Sequence, residues 1–113
     1  MFSVVDRPDF FDGFVDTAIC VKYDKAPVYF LLVERGDAIE IHIGAVTREG
    51  KLALREAGLN IKQWIFNYYK WCKMVIAPVK KRSVFNLCKR LGFIDTGTGE
   101  YGKGKARVMI WVA

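Results

Sequence analysis

Glu40 and His42 stand two residues apart in the run Ala38–Val46, AIEIHIGAV. In an extended chain alternate side chains share a face, so a carboxylate and an imidazole project side by side while Ile39, Ile41 and Ile43 fill the other face. Titratable groups so placed can move a proton: either can take one from a bound group, directly or through water, and the other can orient it. The same two residues also have an ordinary reading, as a half-buried histidine with satisfied polar atoms and a glutamate paired with a neighbouring base. With one histidine and no C-x-x-C pair, a zinc site of the usual ligand spacing is not expected.

The second chemical feature is charge. Residues 1–40 hold four Lys/Arg against eight Asp/Glu, a net −4, and residues 41–113 hold fourteen against four, a net +10. A basic half of this kind can attract nucleic acid or hold a small polyphosphate, or can simply be a solvated surface whose lysine stems cover apolar area. Lys80, Lys81 and Arg82 are consecutive, and Lys103 and Lys105 fall in the glycine-rich stretch TGTGEYGKGK. No aromatic pair or basic repeat of the kind that binds RNA accompanies them, so nucleic acid ranks last among the partners.

The elements that must position these groups follow from periodicity. Phe10, Phe11, Phe14, Val15 and Ala18 predict a helical stripe over Asp9–Ala18, with Asp9 as N-cap. Ile19–Tyr23 reads equally as helix or strand. Val28–Glu34 is a dense β-forming run. Arg35-Gly36-Asp37 is a hairpin turn, and Ala38–Val46 is the return strand. Lys51–Trp71 predicts a long helix with Leu54, Gly58, Ile61, Ile65 and Tyr68 on its buried stripe. Lys73–Val79 is a short strand whose pairing Pro78 is expected to end. Val84, Leu87, Cys88 and Leu91 line one face of a helix beginning at Ser83, which Gly92 closes. A strand near Phe93–Asp95, a glycine-rich loop and a last strand, Ala106–Val112, complete the order. The strand–helix–strand unit from Ala38 to Val79 predicts two parallel neighbours joined by a right-handed crossover.

At 113 residues and 52% hydrophobic the chain suits one domain, residues 1–113, with a real core. It has no apolar run long enough to cross a membrane. Its N-terminus lacks the basic-then-apolar pattern of a signal peptide. Three widely spaced cysteines fit free thiols in a reducing cytoplasm.

This order from about Val28 to Val112, with the K-R-L-G-F ending of the Ser83 helix, resembles the core of the GCN5-related N-acetyltransferase (GNAT) superfamily. The resemblance implies an α+β (mixed α/β) fold of acyl-CoA N-acyltransferase type, with a central mixed sheet and helices on both faces. It implies transfer of an acetyl group from acetyl-CoA, as co-substrate, to an amine acceptor that is either a protein or a small molecule. The family's phosphate-cradling signature, [Gln/Arg]-x-x-Gly-x-[Gly/Ala], falls on Arg48-Glu49-Gly50-Lys51-Leu52-Ala53. Arg48 and Ala53 fit, Lys51 takes the middle glycine's place, and Gly50 comes one position early. By the same resemblance, backbone N–H groups near Ala45 and Val46 would polarise the thioester carbonyl, and Ile76 would pair with the pantetheine arm. Lys81 and Arg82 would hold phosphate, and the face bearing Glu40 and His42 would line the acceptor cleft. Cys88 stands where many members carry a proton-donating tyrosine, with Tyr101 a substitute donor. The E-x-H strand and the short length are also similar to a compact bacteriophage subgroup. That similarity carries two further expectations: a location in the host cytoplasm, and, as the alternative to an enzyme, an inactive GNAT-like accessory, structural or host-takeover protein that binds a partner. A homodimer is compatible with either.

Overall fold

The computed structural model describes residues 1–11, 17–101 and 104–113. Seven strands form one sheet: β1 (Phe2–Val5), β2 (Ile19–Tyr23), β3 (Tyr29–Arg35), β4 (Ala38–Gly44), β5 (Met74–Val79), β6 (Ile94–Tyr101) and β7 (Gly104–Val112). Their spatial order is β1-β2-β3-β4-β5-β7-β6. The helices are α1 (Arg48–Leu52), α2 (Leu54–Tyr68) and α3 (Arg82–Arg90).

The hairpin turn at Gly36-Asp37 sets the register of β3 on β4, with Arg35 opposite Ala38 and Val33 opposite Glu40. β4 and β5 then pair in parallel, as the crossover pattern predicts, but only over Ala38–Glu40 against Met74–Ile76. Beyond Glu40 and Ile76 the two strands part. On its other side β5 stays paired with β7 as far as Val79 opposite Arg107. Pro78 therefore does not end the pairing of β5: the ladder to β7 runs past it, and the ladder to β4 has stopped two residues earlier.

One face of the sheet carries both long helices. Ile39 and Ile41 of β4, Val75 of β5 and Trp111 of β7 pack with Ile61 and Ile65 of α2 and with Cys88 and Leu91 of α3 in one buried cluster. Burying each isoleucine contributes about 1.5–3 kcal/mol of transfer free energy. The indole of Trp111 stacks on Phe93 with centroids 3.7 Å apart, and its Nε1 donates to the Leu91 carbonyl at 3.0 Å. Gly92, at φ +86°, supplies the left-handed residue that ends α3.

Several sequence expectations need correction. Ile19–Tyr23, which the sequence left open between helix and strand, is a strand, and β1, which the sequence did not suggest, pairs antiparallel with it. Asp9–Phe11 forms a single 3-10 turn, and the rest of the expected first helix includes residues 12–16, outside the described ones. That turn, with Phe11, Cys20 and Leu31, covers the sheet face opposite α2 and α3. The long helix starts at Arg48 rather than Lys51, breaks at Ala53 and ends at Tyr68, and Tyr68 is exposed. Among the described residues the glycine-rich stretch is strand rather than loop. Its residues extend β6 and open β7, pairing from Thr98 opposite Arg107 to Tyr101 opposite Gly104. All three cysteines are buried and free. No helix among the described residues is long and apolar enough to cross a membrane.

Candidate active site

Glu40 is the last residue of β4 to pair with β5, opposite Ile76, and is itself buried. Its neighbours Ile39 and Ile41 belong to the helical-face core, so by strand alternation Glu40 and His42 lie on the opposite face. There His42 Nε2 stands 2.6 Å from Glu40 Oε2, and Arg35 Nε donates to Glu40 Oε1 at 3.3 Å. The His42 and Glu40 side chains are 12% and 8% exposed, Arg35 half exposed. The carboxylate thus accepts from a cation on one oxygen and from the imidazole on the other.

Burial pushes the His42 imidazole below its ordinary value, and Arg35 adds a smaller push in the same direction. The Glu40 carboxylate opposes both without reversing them. A neutral imidazole with Nε2–H donating to Glu40 has Nδ1 as its acceptor atom. This is the tautomer a base needs: Nδ1 can take a proton, and Glu40 stabilises the imidazolium that forms.

Arg35 is the residue the sequence reading missed. Its signal was the hairpin register: Arg35 lies two places from Val33, which faces Glu40, so Arg35 is Glu40's diagonal same-face neighbour. Phe10 was read only as helix core. Its ring instead packs over Gly44, where an added Cβ would stand 2.9 Å from Phe10 Cζ. Phe10 also contacts Tyr29 edge-on. Gly44 shares alternation with Glu40 and His42, so Phe10 walls the same face.

After β4 the chain turns through Ala45, Val46 and Thr47 into α1. Thr47 caps the helix, its Oγ1 accepting from Gly50 N at 3.0 Å, and the Thr47 carbonyl accepts from Lys51 N at 3.0 Å. Of the amides a helix start leaves over, those of Arg48 and Glu49 are therefore the ones available. Arg48 and Lys51 add cations at this turn, and Glu49 a carboxylate. Gly50 is a glycine for reasons of packing: a Cβ there would lie 2.5 Å from the Pro27 carbonyl oxygen and 3.2 Å from Ala45 Cβ. Leu52 and Val46 are exposed at this turn, and Ala53 is the break between α1 and α2.

The remaining sequence candidates lie elsewhere. Cys88 is fully buried in the helical-face core, and burial pushes its thiol up to about 11. It is on the far side of the sheet from Glu40 and His42. Lys81 and Arg82 line a cavity over β5, β7 and β6 rather than the gap between β4 and β5. Tyr101 is the last residue of β6, and its side chain, like Lys103, lies outside the described residues.

The overall fold is shared with solved structures. An acetyltransferase from Bacillus subtilis in complex with CoA superposes with a TM-score of 0.72 at 9% identity, over 99% of this chain and 97% of its own. The chain has the GNAT fold. A ribosomal-protein-S5-alanine acetyltransferase from Vibrio fischeri superposes with this GNAT-fold chain at a TM-score of 0.64 and 13% identity, covering 84% of this chain and 61% of the other. The aminoglycoside acetyltransferase AAC(6')-Ib in complex with coenzyme A and kanamycin gives the same TM-score and identity over 84% and 65%. The chain thus spans a little over three fifths of the length of these two enzymes. No protein-family model matches the sequence, and no curated protein matches it either.

Proposed function

We propose that this GNAT-fold chain is an N-acetyltransferase that moves an acetyl group from acetyl-CoA to an amine. The observation that carries the reading is the placement of the Glu40–His42 pair at the point where β4 leaves β5. The fork gives an extended arm a place between two strands with unpaired backbone, and the pair is at its vertex. The turn from Ala45 to Lys51 fits a reduced phosphate cradle. Thr47 occupies one amide, the amides of Arg48 and Glu49 are available, and Arg48 and Lys51 bring positive charge.

Acetyl-CoA, when bound, supplies an activated acyl thioester. The chain's own residues do the rest. His42 Nδ1 takes the proton of the incoming ammonium, directly or through water. Glu40 fixes the imidazole tautomer, and Arg35 fixes Glu40. Backbone N–H groups near Ala45 and Val46 serve the developing oxyanion, and the β5 backbone past Ile76, where the ladder to β4 has ended, offers groups to the arm. Phe10 and Tyr29 wall the acceptor side, so the acceptor needs an apolar surface beside its amine. The acid that protonates the leaving thiolate is not Cys88, which the solvent does not reach.

A second reading, a GNAT fold that binds its partner without chemistry, is favoured by Lys51 in the middle glycine's place and by the burial of Cys88. One experiment separates the two. The protein is titrated with acetyl-CoA by calorimetry, and thiol release is followed with a panel of amines. Binding with turnover supports the transferase, binding without turnover supports the second reading, and no binding at about 1 mM ligand ends the coenzyme assignment.

A further inference from the structure

The side of β5 away from the fork carries a cavity of about 480 Å³ that the proposed reaction does not use. Its volume is that of a small-molecule site. Phe85 lines it, with five cations among the described residues: Lys80, Lys81 and Arg82 from the corner between β5 and α3, and Lys105 and Arg107 from β7. No carboxylate among the described residues lines it. Asp95 Oδ2 accepts from Arg107 Nη2 at 2.7 Å and offsets one of the five. Lys81, Arg82 and Lys105 make no ion pair among the described residues. Lys80 reaches across to the hairpin, its Nζ 3.8 Å from where a Cβ would stand on Gly104. α3 starts at this same corner with no side-chain cap on its first amides. Gathering like charges around a concavity is unfavourable until an anion enters, and the potential they create draws one in.

The cavity is apart from the fork. No residue of β4 or α1 lines it, and β5 and β7 stay paired up to its edge at Val79 and Arg107. A single inorganic anion would leave most of its volume unfilled, whereas a phosphate joined to a sugar-sized group would fill it, with Phe85 against the organic part.

We infer that this cavity binds the phosphate of an organic phosphate ligand separate from the coenzyme. The inference rests on the proposed function only in giving the fork to the coenzyme. The test follows backbone amide shifts of the nitrogen-labelled full chain during titration with ribose 5-phosphate, with ribose as control, first alone and then with saturating coenzyme A. The expected result is saturable shifts at Arg82, Ser83, Thr98 and Ala106 in both titrations and none with ribose. Affinity should drop about tenfold or more when Lys81→Glu and Lys105→Glu are combined, with the circular dichroism spectrum unchanged. Absence of saturable shifts up to about 50 mM overturns the inference. So does competition for these amides by coenzyme A but not by dephospho-coenzyme A, which would give the cavity to the coenzyme's own 3′-phosphate. If coenzyme A binds nowhere, the fork assignment fails and the titration without coenzyme still decides this one.

Discussion

His42 Nε2 lies 2.6 Å from Glu40 Oε2, on the sheet face opposite both long helices and at the last residue where β4 is bonded to β5. The strand alternation that sends Ile39 and Ile41 into the core fixes which way the pair points, and the fork fixes what it can reach.

The pair makes a clean titration. His42 is the only histidine in the sequence, so its ring signals are unambiguous by nuclear magnetic resonance. Its midpoint should fall below the ordinary value of about 6.5. Glu40→Gln should lower it further, because the carboxylate is what raises it, and Arg35→Gln should move it up. A midpoint at or above the ordinary value in the native chain would contradict the neutral imidazole.

The same shift has a consequence for stability. A histidine whose folded value is depressed binds fewer protons folded than unfolded below about pH 6.5, so this group's contribution rises with pH up to that value and is flat above it. Denaturant unfolding at pH 5, 6 and 7 should show stability increasing across the series. His42→Gln should flatten that part of the slope, and an unchanged slope would mean that other groups govern it.

Turnover should follow the roles assigned. Loss of a positioned base typically costs about 10²–10⁴ in rate, and His42→Ala should fall in that range in kcat. Glu40→Gln should cost less and move the acid limb of the pH–rate profile to lower pH. Equal activity of His42→Ala and the native chain in a thiol-release assay would remove the base from His42.

Much of this arrangement was legible in the sequence. The E-x-H strand, the hairpin turn before it and the parallel return strand are set by alternation and by local turn chemistry, so Glu40 and His42 could be placed on one face from periodicity alone. Arg35 was hidden because its partnership depends on hairpin register, which fixes the diagonal only once the turn is known to have two residues. The glycine-rich stretch misled because glycines signal loops in isolation. Here Thr96 and Thr98 alternate with them, Thr96 Oγ1 donates to the Val108 carbonyl at 2.6 Å, and the neighbouring β7 supplies the pairing that composition cannot. The middle-glycine position misled in the opposite way. The motif reading put the constraint at Lys51, whereas the close approach to Pro27, twenty-three residues back along the chain, falls on Gly50.

That close approach gives the sharpest mutational contrast, between two helical glycines. A Cβ on Gly50 would meet a backbone carbonyl, that of Pro27, at 2.5 Å. Backbone cannot swing aside, so α1 must move as a unit and carry with it the Thr47 cap and the amides of Arg48 and Glu49. A Cβ on Gly58 would instead meet the methyl ends of Leu91 at 2.5 and 2.9 Å, and a leucine can rotate at small cost. Gly58→Ala also gains roughly 1 kcal/mol of helix propensity. Overpacking against fixed atoms costs about 1–3 kcal/mol. Gly50→Ala should therefore lower unfolding free energy by that amount, and Gly58→Ala should stay within about 1 kcal/mol of the native chain. If the turn is the phosphate cradle, Gly50→Ala should also weaken coenzyme A binding by calorimetry, while Gly58→Ala leaves it unchanged. Loss of stability in Gly50→Ala with coenzyme affinity retained would separate the two roles and show that the turn is structural only.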